Sequence, residues 1–152
     1  MHSESTRKLH VFDLGNRLVG VFSDEIATVV EWRKPTPLPF APPAILGVVS
    51  IQGRMLTVLD PTLIFTESEK LDSNLNRFLV ALRGDEQIAL AIKDKGTTME
   101  VGGKEFLPPT DDQIVLSTLT HKGQTVSVLD LKALFPAAIK GHERRRRQFV
   151  DG

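Results

Sequence analysis

Cysteine is absent from this chain of 152 residues, which excludes disulfides, thiolate metal ligands and a cysteine nucleophile in one step. That composition suits a reducing compartment. Tyrosine is absent too, and Trp32 is the single tryptophan, so aromatic platforms for stacked bases are lacking. Net charge is missing as well: 19 Lys and Arg stand against 19 Asp and Glu. Such a balance gives no general pull toward nucleic acid or an anionic membrane. No run approaches the ~18 apolar residues of a membrane span. The opening Met1-His2-Ser3-Glu4-Ser5-Thr6-Arg7-Lys8 carries no apolar export core. The expectation is a cytoplasmic protein without a nucleic-acid partner and without direct membrane insertion.

Catalytic constellations are missing in the same way. His2, His10, His121 and His142 are too dispersed for metal-ligand spacing, and no nucleophile elbow, Walker loop or dinucleotide fingerprint occurs. Gly102-Gly103 reads as a turn. Without positioned acid, base or nucleophile sets, no catalytic, cofactor-binding or metal-binding residue is expected, and the chain is read as a non-enzyme.

What the chain does contain is short, strand-like apolar runs. Val11 to Leu14 and Leu18 to Phe22 flank Gly15-Asn16 and read as a hairpin. Ile26 to Trp32 is rich in β-branched residues, and Ile45 to Ile51 and Arg54 to Leu59 are separated by Gln52-Gly53. Prolines 35, 37, 39, 42 and 43 make residues 34–44 an extended connection. The order then recurs: Arg77 to Leu82, Gln87 to Ile92, Thr97 to Val101, a Pro108-Pro109 loop, Ile114 to Leu119 and Gln124 to Leu129.

Laying residues 7–65 on residues 77–135 without a gap gives twelve identities, Leu9/Leu79, Gly53/Gly123, Asp60/Asp130 and Phe65/Phe135 among them. Roughly four are expected by chance. The pattern is an internal duplication, clearest in Gly53 to Asp60 against Gly123 to Asp130. Each segment opens on a glycine turn and ends on an aspartate placed to cap a helix start, with Pro61 suited to the first helical position. Two like units of about five strands predict an all-β fold of two small barrels packed together. The layout is a tail (1–6), a domain (7–136) with repeats at 7–65 and 77–135 and a linker at 66–76, and a basic tail (137–152). Two features stay open here. Trp32 reads as a partner anchor or a half-buried barrel residue. The run Arg144 to Arg147 reads as a solvated helix end or a contact for an acidic partner or nucleic acid.

The stretch Phe12-x-Leu-Gly15, Gly20, Pro42, Ile45-Leu-Gly-Val-Val-Ser-Ile-Gln-Gly53 and Val58-Leu-Asp60 resembles the CheW family, as do Leu90 to Asp94 and Val126 to Leu131. The likeness covers roughly residues 8–136. It implies a pair of five-stranded SH3-like barrels sharing a core, and a stand-alone adaptor in a chemotaxis or related motility pathway. Its implied partners are the regulatory domain of a CheA-type histidine kinase and the cytoplasmic tip of a chemoreceptor. The alternative is an SH3-like binding module that has lost that coupling. Where the family reads Asn-Leu-Arg-Gly, this chain has Ser50-Ile51-Gln52-Gly53, and an ungapped match sets the family's Val-x-Glu-Val on Ile26 to Val29. Thr57 and Pro61 replace its usual proline and leucine. The resemblance thus places the partner-binding site at Thr28, Val49, Ser50, Ile51, Gln52 and Gly53. It also implies that Ile51→Asp abolishes binding while leaving the fold intact.

Overall fold

A computed structural model of the chain describes residues 6–15, 17–65, 76–102, 106–107 and 114–139. The expected N-terminal tail apart from Thr6, most of the linker, Pro108-Pro109 and the run Arg144 to Arg147 lie outside the described residues. Ten strands follow in order: β1 (Arg7–Asp13), β2 (Leu18–Phe22), β3 (Ile26–Glu31), β4 (Ile45–Ile51), β5 (Arg54–Leu59), β6 (Phe78–Leu82), β7 (Ile88–Ile92), β8 (Thr97–Val101), β9 (Val115–His121) and β10 (Gln124–Leu129). A short helix, α1 (Pro61–Phe65), follows β5, and a second, α2 (131–139), follows β10.

The strands stand where the apolar runs predict them. Only β1 starts well before its apolar segment, because its polar end, Arg7 to His10, is laddered against β8. Turns and caps are the ones the residues demand. Gln52-Gly53 has φ of 51° and 78°, and Lys122-Gly123 has 52° and 77°. Two successive positive φ values make the primed turn that matches the twist of a hairpin. The Asp60 carboxylate accepts the Thr62 N–H at 3.0 Å, and the Asp130 carboxylate accepts the Lys132 N–H at 3.2 Å. Both strand-end aspartates are therefore helix caps.

The ten strands form two five-stranded sheets, ordered β8-β1-β2-β10-β9 and β3-β6-β7-β5-β4. Replacing each strand by its counterpart five places away in the chain turns one order into the other, so the duplication is structural. The repeat in sequence is nevertheless not the unit in space. The first sheet takes β1 and β2 from one half and β8, β9 and β10 from the other. Parallel pairs, β2 with β10 and β5 with β7, join the halves. A half alone would leave those strand edges open, and exchange closes them.

Side chains alternate between three apolar clusters. Leu9, Val11, Phe22, Val101, Leu119 and Val126 fill the inside of the first sheet. Val49, Ile51, Leu56, Val58, Leu79 and Ala89 fill the second. Each cluster draws residues from both edge strands of its sheet, so each sheet curls into a barrel-like unit. Between the units lies the third and largest cluster, with Phe12, Val19, Val21, Leu59, Leu90 and Leu134. Central strands are consequently apolar on both faces. α2 carries Ala138, 3% exposed, into this shared core. Packed structure thus runs past residue 136, where the sequence placed the end of the domain, because α2 continues for another turn of apolar contact.

The ungapped register also needs a correction. The matched β4–β5 and β9–β10 hairpins make Thr57 the counterpart of Ser127, and these pair with Ile88 and Val19 respectively. Val19 therefore matches Ile88, not Ala89. The β1–β2 connection is one residue longer than its counterpart, and the connections before β4 and β9 restore the register. Identities such as Thr28/Thr98 fall in the slipped stretch and are coincidental.

Candidate partner-binding site

The residues at positions 49–53 lie on β4 and its turn into β5, but they do not share a face. Val49 is 9% exposed and Ile51 is 2% exposed, both within the second barrel-like unit beside Leu56 and Val58. Their side chains are core. The expectation that Ile51→Asp leaves the fold intact is therefore overturned, since a carboxylate there would have no polar partner. Ser50, Gln52 and Gly53 are exposed. The alternation of a strand with one buried face accounts for the split.

Thr28 is half-buried near the start of β3, which forms the opposite edge of the same sheet. Curling brings the far end of β3 toward β4: an Arg33 guanidinium N–H donates to the Ser50 carbonyl at 2.9 Å. Thr28 lies five residues back from Arg33, roughly 16 Å along an extended chain. Glu31, two residues before Arg33, is exposed at the end of β3. Val29-Val30-Glu31 also reads Val-x-Glu, three residues downstream of the ungapped match. That pattern therefore also sets a carboxylate at Glu31, on the exposed end of the strand. The literal Val-x-Glu was the signal that could have identified it.

Met55 was missed as well. It pairs across the ladder with Ser50 and is 60% exposed. Since Leu56 and Val58 point inward, strand alternation puts Met55 outward, an apolar residue on a polar face. The proline-rich segment borders the free edge of β4 through paired Thr36 and Val48 hydrogen bonds of 2.8 and 2.9 Å. Its tip presents Leu38 and Phe40, the latter wholly exposed. Trp32 is half-buried against the barrel interior, which favours its structural reading.

Among the described residues the one buried acid, Asp60, lies away from these positions, at the end of β5. Burial raises the Asp60 carboxyl above its usual range, opposed by the Thr62 and Leu63 backbone and by Lys93. Among the described residues, no three His, Asp or Glu side chains are gathered as a metal ion requires. No helix among them is long and apolar enough to cross a membrane.

Two curled five-stranded units of exchanged strands, with a Gly-turn hairpin at the edge of each, agree with the family match, in which the CheW-like domain model covers residues 8–138. The chain belongs to the CheW-like domain family. A chemotaxis protein CheW of Rhizobium meliloti (strain 1021) is 20% identical over 137 residues, covering 86% of this chain and 88% of that protein. The crystal structure of the scaffolding protein TtCheW from Thermoanaerobacter tengcongensis superposes with a TM-score of 0.75 at 20% identity. It covers 88% of this chain and 90% of that one. This likeness supports the fold. Membership of the CheW-like family makes the chain a non-catalytic adaptor of chemotaxis signalling, one that works with chemoreceptors and the CheA kinase.

Proposed function

We propose that this chain couples a chemoreceptor's cytoplasmic tip to the regulatory domain of a CheA-type kinase in the cytoplasm, and that the surface around Glu31, Ser50, Gln52, Gly53 and Met55 meets the receptor. The observation that carries this reading is the Arg33–Ser50 hydrogen bond. It ties the strand end bearing Glu31 to the strand edge bearing Ser50, so that residues far apart in sequence form one rigid exposed surface. An amphipathic receptor helix needs apolar anchors with polar residues at the rim. Met55 supplies an apolar contact, while Glu31 and Gln52 supply polar ones. The family's arginine is Gln52 here, so recognition rests on a neutral donor and acceptor in place of a cation.

A pull-down of tagged protein from its own cells, read by mass spectrometry, tests the pairing. Recovery of both a histidine kinase and a receptor is the expected result. Recovery of the kinase alone would remove the receptor from this reading, and recovery of neither would remove the coupling role.

A further inference from the structure

The two halves of the chain differ most where their equivalent connections face the helices. In the corrected register, Arg17 matches Glu86 and Lys93 matches Asp24, and the turn glycines Gly15 and Gly84 match with φ of 103° and 107°. Phe65, closing α1, matches Phe135 on α2. In the first arrangement the Arg17 guanidinium lies 4.2 Å from the centroid of the Phe65 ring.

In the second arrangement the two charges are reversed: Glu86 stands where Arg17 stands, and Asp24 where Lys93 stands. A cleft of about 510 Å³ opens there between the β6–β7 turn, Asp24-Glu25, β9 and the start of α2. Leu116 on its wall is 50% exposed, and Phe135, one helical turn beyond the lining residue Leu131, is 37% exposed. Asp24, Glu25, Glu86 and Asp130 face two cations, Arg83 and Lys132. Arg83 is held by the Ile26 carbonyl at 3.3 Å, and Asp24 is taken by Arg7 at 2.8 Å. Burial raises the Glu25 carboxyl, Arg7 opposes the rise, and Asp24 and Asp130 add to it; a further cation in the cleft would relieve it.

We propose that this cleft receives an arginine side chain from a partner protein, seated between Glu86 and the Phe135 ring as Arg17 is seated on Phe65 in the other half. The fold itself provides the template for the missing group. Arginine fits better than lysine, because its flat guanidinium stacks on a ring while its edge N–H groups meet a carboxylate. The proposal does not depend on which surface meets the receptor.

The test is a titration of the full chain with a tetra-arginine peptide, followed by backbone amide NMR shifts, with tetralysine for comparison. The expected shifts centre on Gly84, Glu86, Leu116 and Leu131, weaken with salt, and need several-fold more tetralysine. Glu86→Arg supplies the guanidinium from within. It should abolish those shifts and keep or raise the melting temperature, and Phe135→Ala should weaken binding about tenfold. Shifts centred elsewhere, or unchanged in folded Glu86→Arg, overturn the proposal. Removal of residues 142–152 should leave peptide affinity unchanged. A several-fold gain would make the chain's own Arg144 to Arg147 the occupant and overturn the assignment to a partner.

Discussion

Arg33 and Ser50 lie on opposite sides of a curled sheet and are joined by one hydrogen bond, from the Arg33 guanidinium to the Ser50 carbonyl at 2.9 Å. The bond fixes the end of β3 against β4, and with it the spacing between Glu31 and the Gln52-Gly53 turn. Recognition residues on strands held this way are better placed than the same residues on a free loop.

Glu31→Lys should separate binding from folding. The side chain is exposed, so stability should change by no more than about 0.5 kcal/mol. Receptor affinity should fall at least about tenfold, roughly 1.4 kcal/mol. Titration calorimetry with a receptor cytoplasmic fragment, paired with thermal melting, checks both. Unaltered affinity would take Glu31 out of the contact.

Ile51→Asp should behave in the opposite way. With Ile51 2% exposed inside an apolar cluster, an unpaired carboxylate and a lost aliphatic side chain should cost on the order of 3–5 kcal/mol. A melting temperature lower by roughly 10 °C or more is expected for a domain of this size. A wild-type melting curve would contradict the assignment of Ile51 to the core.

Gly47→Ala tests the seam between the proline-rich segment and β4. Gly47 has φ of 141°, and an added Cβ would stand 2.2 Å from the Thr36 carbonyl oxygen. Backbone cannot yield as a side-chain tip can, so the substitution should cost about 1–3 kcal/mol. It should also release the Thr36 and Val48 amides, which hydrogen exchange would report as faster exchange at both.

Asp60→Asn should shift the pH dependence of stability. Burial raises the folded-state Asp60 carboxyl above its unfolded value, so the folded state binds that proton more tightly and ionisation near neutrality opposes folding. Asparagine still accepts the Thr62 N–H but cannot ionise. The variant should match or exceed the wild type at pH 7. Its relative advantage should close as pH falls through the folded and then the unfolded carboxyl value. Denaturant midpoints from pH 7 to pH 3 would show this, and a gap that widens on acidification would contradict it.

Much of the fold was legible because its signals are local. Gly53 and Gly123 open primed turns, Asp60 and Asp130 cap helices, and β4, β5, β8 and β10 match their apolar runs residue for residue. Strand exchange was not legible. The apolar runs of β2 and β5 say that these strands are packed in the interior but not which strand lies alongside, and the parallel partners β10 and β7 come from the other half. The one-residue slip was hidden for a related reason: matching apolar residues looks equally good in neighbouring registers when both faces of a strand are apolar.

The site was half legible. A motif names consecutive residues, whereas a strand sends consecutive residues to opposite faces, so Ser50 and Gln52 are exposed while Val49 and Ile51 are interior. Glu31 could be read from Val29-Val30-Glu31, yet its place on the strand end that Arg33 ties to Ser50 depends on the curl of the sheet. Met55 required knowing which face of β5 looks outward.

The most direct test of the coupling role is a reconstitution with the kinase and a receptor cytoplasmic fragment from the same organism, measuring autophosphorylation as this protein is titrated in. The account predicts receptor-dependent control of the kinase that appears only when the adaptor is present and is lost with Glu31→Lys. Kinase activity indifferent to the adaptor at every receptor concentration would contradict it.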